Sequence, residues 1–203
     1  MSGPEARGLA DPQAGSRALP NAARSRSLEL IRACGLDAHA PIIDVSGATP
    51  GWVDALLDAG FTDVTLLVPD VENLESLREH VGARRALVKL IAGELSEFHP
   101  QRRYALWHDA GTFHRLIHPE ERQQYVELVQ QALRPEGHLV LVTYGPHGPE
   151  RYAGLPVCRY SSKTLPAELG GQFELTDHSL GSPSASQEIL HCRFVRHAPK
   201  WPH

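Results

Sequence analysis

The residues best able to do chemistry are concentrated in one segment, LWHDAGTFHRLIHPEER, residues 106–122. His108 and Asp109 are adjacent there, and His114 follows closely. Histidine titrates near neutral pH, so a histidine beside a carboxylate is suited to proton transfer or to orienting a polar substrate. Trp107 adds an apolar plane. Purely structural roles compete with this reading: Asp109 can cap the turn that follows, and His108 can hydrogen-bond to backbone. The residue types alone leave both open.

Metal binding is the other chemistry a histidine cluster suggests. His114 and His118 are four apart and would share a helical face, which suits a transition metal. Pro119 directly follows His118 and disfavours helical geometry there, and no cysteine or carboxylate completes a familiar ligand spacing. No metal is expected. The sequence also lacks a GxSxG elbow and a P-loop lysine pattern. Cys158, in GLPVCRY, reads as a packed small residue rather than a nucleophile.

These residues must be positioned by an alternation of strands and helices. The stretch from residue 41 to 60 reads as a buried strand (Pro41 to Val45), a tight turn (Ser46 to Thr49) and a helix that opens at Pro50 with Thr49 as N-cap. Such a unit presents backbone N–H groups to a nucleotide-like ligand. Gly47 is the one glycine of the turn, and the side chains of Ser46 and Ala48 narrow the approach. Further strands are expected at Phe61 to Val68, Ala86 to Ile91, Tyr104 to Trp107 and His138 to Thr143. Helices are expected from Leu28, over Asp70 to His80 with Val71, Leu74 and Leu77 on the buried face, over Glu120 to Leu133, and near Ser162 to Leu169. The Arg134–Gly137 stretch reads as a turn and residues 146–156 as a loop. Phe173 to His178 and Glu188 to Val195 complete the pattern as an antiparallel pair. Apolar strands alternating with helices imply a parallel sheet covered on both faces.

Composition narrows the function classes. The 203 residues suit a single domain, expected over 27–197, with an N-terminal arm over 1–26 and a frayed tail over 198–203. Glu5 and Asp11 argue against reading the arm as a transit peptide. A net charge of −4 gives no reason to expect a nucleic-acid partner, and no apolar run approaches the roughly 20 residues that cross a bilayer. The three dispersed cysteines point to reduced thiols and a cytoplasmic setting.

In order and spacing, these elements resemble the class I S-adenosylmethionine-dependent methyltransferases. The likeness is carried by Trp107-His108-Asp109 after the fourth strand, GPERYAGLPVCRY at residues 148–160, and YVELVQQALRPEGHLVLVTY at residues 125–144. The resemblance implies an α/β, Rossmann-like fold whose mostly parallel, seven-stranded sheet has helices on both faces and a C-terminal antiparallel hairpin. It implies S-adenosylmethionine held by Asp44, Ser46, Gly47, Ala48, Asp70, Glu94 and Trp107. His108 and Asp109 are the implied catalytic residues, and His114, Tyr144 and Arg151 the implied contacts to a small-molecule substrate. Two departures stand out. Ser46 and Ala48 occupy positions where the family has glycine, and Val68 stands where an acidic residue takes the ribose hydroxyls, leaving Asp70 to substitute. The implied activity is methyl transfer to a small molecule. The rival is a methyltransferase-fold protein that has lost catalysis and serves as a binding or regulatory partner, or accepts another ligand.

Overall fold

The computed structural model describes residues 21–46, 49–181 and 187–198. Gly47, Ala48, most of the expected arm and residues 199–203 of the expected tail lie outside them. The chain runs through α1 (Asn21–Arg32), β1 (Ile42–Asp44), α2 (Pro50–Asp58), β2 (Val64–Val68), α3 (Val71–Val81), β3 (Val88–Ala92) and β4 (Tyr104–Ala110). It continues with α4 (Pro119–Ala132), β5 (Leu133–Tyr144), β6 (Arg151–Tyr152), β7 (Leu155–Pro156), α5 (Thr164–Leu169), β8 (Phe173–Gly181) and β9 (Ile189–Arg196).

Seven strands form one sheet in the order β3-β2-β1-β4-β5-β9-β8. All run parallel except β9, which pairs antiparallel with β5 on one side and β8 on the other. Side chains alternate across a strand, and here both faces are buried. Ile43, Leu67, Trp107, Leu139 and Leu141 point into a core shared with α4 and α5. Ile42, Leu66, Leu106 and Val140 point into a second core beneath α1, α2 and α3. This is why the strands read as near-continuous apolar runs.

Several boundaries differ from the sequence expectations. β4 runs three residues past Trp107, because His108, Asp109 and Ala110 pair with Val140, Leu141 and Val142 of β5. The two polar side chains do not interrupt the backbone ladder. α1 opens at Asn21 rather than at Leu28, and its Arg26 reaches β8, donating from Nε to Ser179 Oγ at 3.0 Å and from Nη2 to Asp177 at 3.4 Å. Residues 21–26, read from the sequence as part of the arm, are helical here. Val71, expected on the buried face of α3, is 68% exposed, since the first turn of that helix lies beyond the end of β2. The stretch read as a loop holds the β6–β7 hairpin, whose Ala153 and Gly154 both take positive φ (50° and 83°) as a two-residue primed turn requires.

The turn expected at Arg134–Gly137 is present as an outward excursion of β5. The ladder jumps from Tyr104–Leu133 to Leu106–His138, and Glu136 takes φ 58°. Gly137 is fixed there by space: a Cβ would lie 2.8 Å from the Arg134 carbonyl oxygen and 3.3 Å from that of Ala105. Backbone cannot yield as a flexible side chain can. Gly137→Ala is expected to cost about 1–3 kcal/mol, lowering Tm by roughly 3–9 °C for a chain of this size. Thermal unfolding by circular dichroism checks it, and an unchanged Tm refutes the steric reading.

Candidate active site

In an open parallel sheet the ligand site lies beyond the carboxyl ends of the strands. Here that mouth collects Val45 and Ser46 after β1, the Gly111–His114 stretch after β4, and Tyr144 with the hairpin after β5. His108 and Asp109 stand at its base, and strand alternation sends them to opposite faces. His108 follows Leu106 toward α2, and Asp109 follows Trp107 toward α4.

On the α2 side, Asp44 is 2% exposed. The parallel register sets it directly across from His108. Oδ1 accepts from the Ser46 N–H at 3.0 Å and from Ser46 Oγ at 2.9 Å. Oδ2 accepts from Trp52 Nε1 at 2.9 Å and pairs with His108 Nδ1. Burial alone would push the Asp44 carboxyl up. The adjacent His108 and the hydrogen bonds from His108 and Ser46 outweigh it and hold the carboxyl below its ordinary range. An ionised carboxylate offers about four lone-pair sites, and four donors of the chain take them. Asp44, expected at the cofactor, is bonded within the chain on both oxygens. The His108 ring lies 4.7 Å from an aromatic ring of Trp52, centroid to centroid, and its Nε2 is buried without a hydrogen-bond partner among the described residues.

On the α4 side, Asp109 is fully buried and accepts from Thr112 N at 2.8 Å, Phe113 N at 3.1 Å and Tyr125 Oη at 2.8 Å. Burial raises its carboxyl above the ordinary range, against the hydrogen bonds from Thr112 and Tyr125. Tyr125 Oη also accepts from Trp107 Nε1 at 3.1 Å. Trp107 has no exposed surface and lies within the core. Of the roles weighed from the sequence, Asp109 takes the turn-capping one. His108 pairs with a carboxylate rather than with backbone.

The remaining candidates separate. His114 is 4% exposed, with its ring 4.6 Å from that of Tyr144, which in turn lies 6.2 Å from Tyr152. Burial, with help from Arg115, pushes the His114 imidazole down to about 4. His114 sits in a 3-10 turn (Phe113–Arg115) and His118 precedes α4, so the two do not share a helical face. Among the described residues no group of three or more His, Cys, Asp or Glu could hold a metal. Arg151, expected at the substrate, spends its guanidinium on the Gly154 carbonyl oxygen, from Nε at 3.0 Å, and closes the hairpin turn. Asp70 caps α3, accepting from the N–H groups of Glu72 at 3.1 Å and Asn73 at 3.3 Å, while remaining exposed. Glu94 is exposed at the rim of a cleft of about 420 Å³ whose lining includes Leu67, Ile91, Phe98 and Tyr104. Trp52 and Tyr125 were not singled out in the sequence. Their signal was available in principle, because a buried tryptophan or tyrosine must find a partner for its polar atom.

Strand order, the reversed β9 and the helices on both faces define the class I S-adenosylmethionine-dependent methyltransferase fold. The N-methyltransferase NodS of Bradyrhizobium japonicum WM9 matches with a TM-score of 0.70 over 87% of this chain and 97% of its own, at 15% identity. The 1,6-didemethyltoxoflavin-N1-methyltransferase of Burkholderia thailandensis, bound to 1,6-didemethyltoxoflavin and S-adenosylhomocysteine, matches with a TM-score of 0.70 over 87% and 79%, at 20% identity. The CcbJ methyltransferase of Streptomyces caelestis matches at 0.69 over 91% and 93%, at 18% identity. No family model matches the sequence, and no curated protein matches it by sequence. No helix among the described residues is long and apolar enough to cross a membrane.

Two outcomes follow from the buried polar groups. Tyr125→Phe removes the hydroxyl shared by Asp109 and Trp107 and is expected to cost about 2–3 kcal/mol; urea unfolding measures it, and a loss under about 1 kcal/mol would show that the hydroxyl is dispensable. For His114 the folded pKa lies below the unfolded value near 6.5. As pH falls from there toward 4, the unfolded chain takes up a proton that the folded one refuses, so stability falls across that window. The full effect is on the order of 3 kcal/mol. His114→Gln is expected to flatten this slope in denaturant titrations run between pH 7 and pH 4, and an unchanged slope refutes the assignment.

Proposed function

We propose that the chain is an S-adenosylmethionine-dependent methyltransferase acting on a small molecule. The observation that carries this reading is the His108 imidazole, at the carboxyl end of β4 in this fold, with Nδ1 against Asp44 and Nε2 without a hydrogen-bond partner among the described residues. An orphaned buried ring nitrogen costs about 1–3 kcal/mol, and such a group calls for an explanation in use.

The residues fit the cofactor at three points. Glu94 offers an exposed carboxylate for the adenine amino group. Asp70 keeps lone pairs for a ribose hydroxyl. Thr49, at the N-terminus of α2, has a buried hydroxyl with no partner among the described residues. Asp44 is bonded within the chain on both oxygens, and Gly47 and Ala48 lie outside the described residues. When bound, S-adenosylmethionine supplies an electrophilic methyl carbon on a sulfonium sulfur, which keeps the carbon–sulfur electron pair as the methyl group leaves. The protein's contribution is to hold the acceptor in line, with His108 as its proton acceptor. His114, uncharged at neutral pH, and the rings of Tyr144 and Tyr152 form a wall for an uncharged, flat acceptor.

A second reading, a fold that has lost catalysis and binds a partner or another ligand, is favoured by Val68. It is 1% exposed at the end of β2 and cannot accept from ribose hydroxyls. Calorimetric titration with S-adenosylmethionine and S-adenosylhomocysteine separates the two. Micromolar binding is expected for the enzyme, and no binding at millimolar ligand rules it out. In an active preparation His108→Ala is expected to lower kcat by about 10²–10⁴ with cofactor affinity nearly unchanged, and equal turnover removes His108 from the mechanism.

A further inference from the structure

The two faces of the sheet are not covered alike. β1 reaches β2 through α2, β2 reaches β3 through α3, and β4 reaches β5 through α4. β3 reaches β4 through residues 93–103, whose one regular element is a 3-10 turn (Leu95–Glu97). That crossover has to pass β2 and β1 to reach its strand, and a parallel connection of this kind usually carries a helix. Without one, the α4-side face of β2 and β3 stays open. Its floor follows from the register: Leu67 pairs with Ile91, and Lys89, two residues earlier on β3, shares their face. Phe98 from the crossover and Tyr104 from β4 belong to the same apolar core. These residues line the cleft of about 420 Å³, a volume within the range that small-molecule sites occupy.

Charge gives the cleft a direction. Lys89 is exposed at one end, and its ammonium has no ion pair among the described residues. Arg102, beside it in the lining, is already answered: its terminal nitrogens donate to Asp63 at 3.0 and 2.6 Å, and its guanidinium lies 5.7 Å from the centroid of the Tyr104 ring. Lys89 stands about 10 Å below the end of β3 at Ala92 by the rise of a strand, and Glu94 and Glu97 follow that end, both exposed. An anion near Lys89 therefore meets one uncompensated cation, and an anion at the far end meets two carboxylates. We propose that this cleft is a binding site, separate from the mouth of the sheet, for a small monoanion with a flat apolar body, such as an aromatic carboxylate or sulfonate. Its charge sits on Lys89 and its body over Leu67, Ile91, Phe98 and Tyr104. A dianion would bring its second charge to Glu94 and Glu97, and a neutral compound would leave Lys89 unanswered. Glu94 is the one residue common to this cleft and the cofactor contacts proposed above, and the Lys89 end does not depend on the methyltransferase reading.

The probe is anilinonaphthalene sulfonate, with phenylnaphthylamine, the same rings without the sulfonate, as its neutral counterpart. Fluorescence titration of the full chain is expected to show one saturable site for the sulfonate and weaker binding of the neutral amine. No saturation at millimolar sulfonate, or equal affinity for the two compounds, overturns the proposal. Amide shifts in nitrogen-15-labelled protein locate the site. They are expected at Ile91, Gly93 and Gln101, and shifts centred instead on Gly111–His114 place the probe at the mouth and overturn the assignment. Lys89→Ala is expected to weaken the sulfonate about ten- to a hundredfold, and Lys89→Arg, which keeps the charge, to retain the binding. Unchanged affinity in Lys89→Ala overturns the role of the ammonium. Lys89 is exposed on an edge strand, so both variants are expected to fold, and the wild-type titration and shifts test the site without them.

Discussion

An ionised carboxylate withdrawn from water must be answered by donors at fixed positions, and Asp44 imposes that demand on the mouth of this sheet. Its donors come from three places in the chain: the turn that leaves β1, the first turn of α2, and β4. None of the three can shift without leaving charge unpaired. Asp109 does the same on the opposite face, tying the end of β4 to the turn that follows and to α4 through Tyr125. The carboxyl end of the sheet is thus fastened by two buried carboxyl groups that point in opposite directions, one into each core.

This arrangement divides labour between neighbours in sequence. Trp107 and Asp109 face α4 and hold the scaffold, whereas His108, between them, faces α2 and Asp44. A segment that looks like one catalytic cluster in the linear chain is therefore split by the sheet it belongs to. The split also explains why the imidazole is so well oriented: the same ladder that builds the core sets the distance between β1 and β4.

Much of the architecture was legible because apolar runs of strand length alternate with helical periodicity, and the strands and helices from Ile42 to Arg196 stand near where those patterns placed them. What escaped the sequence has physical causes. His108 and Asp109 read as loop because they are polar, yet β pairing uses backbone atoms and tolerates polar side chains that find partners. Gly154 and Pro156 read as loop although they belong to a two-residue hairpin, since the same residues serve both. Asp70 was legible as the start of a helix, and each of its oxygens accepts one N–H of the first turn. The partners of Asp44 and Asp109 were hidden because Trp52, His108 and Tyr125 are brought to them by tertiary folding. Apolar periodicity places a tryptophan or tyrosine on a buried face without saying where its one polar atom goes.

The place of β9 has a consequence for how the molecule assembles. It is the last strand of the sheet in sequence, yet it lies between β5 and β8 and completes both. Until it arrives, β5 presents the apolar ladder from His138 to Tyr144 with one side unsatisfied, and β8 has nothing to join. An open, apolar strand edge is a template for pairing with other chains, and a strand that follows all the others of its sheet in sequence leaves that template bare until it is made. The nascent chain thus carries its greatest risk of misassociation after most of the site has already been made.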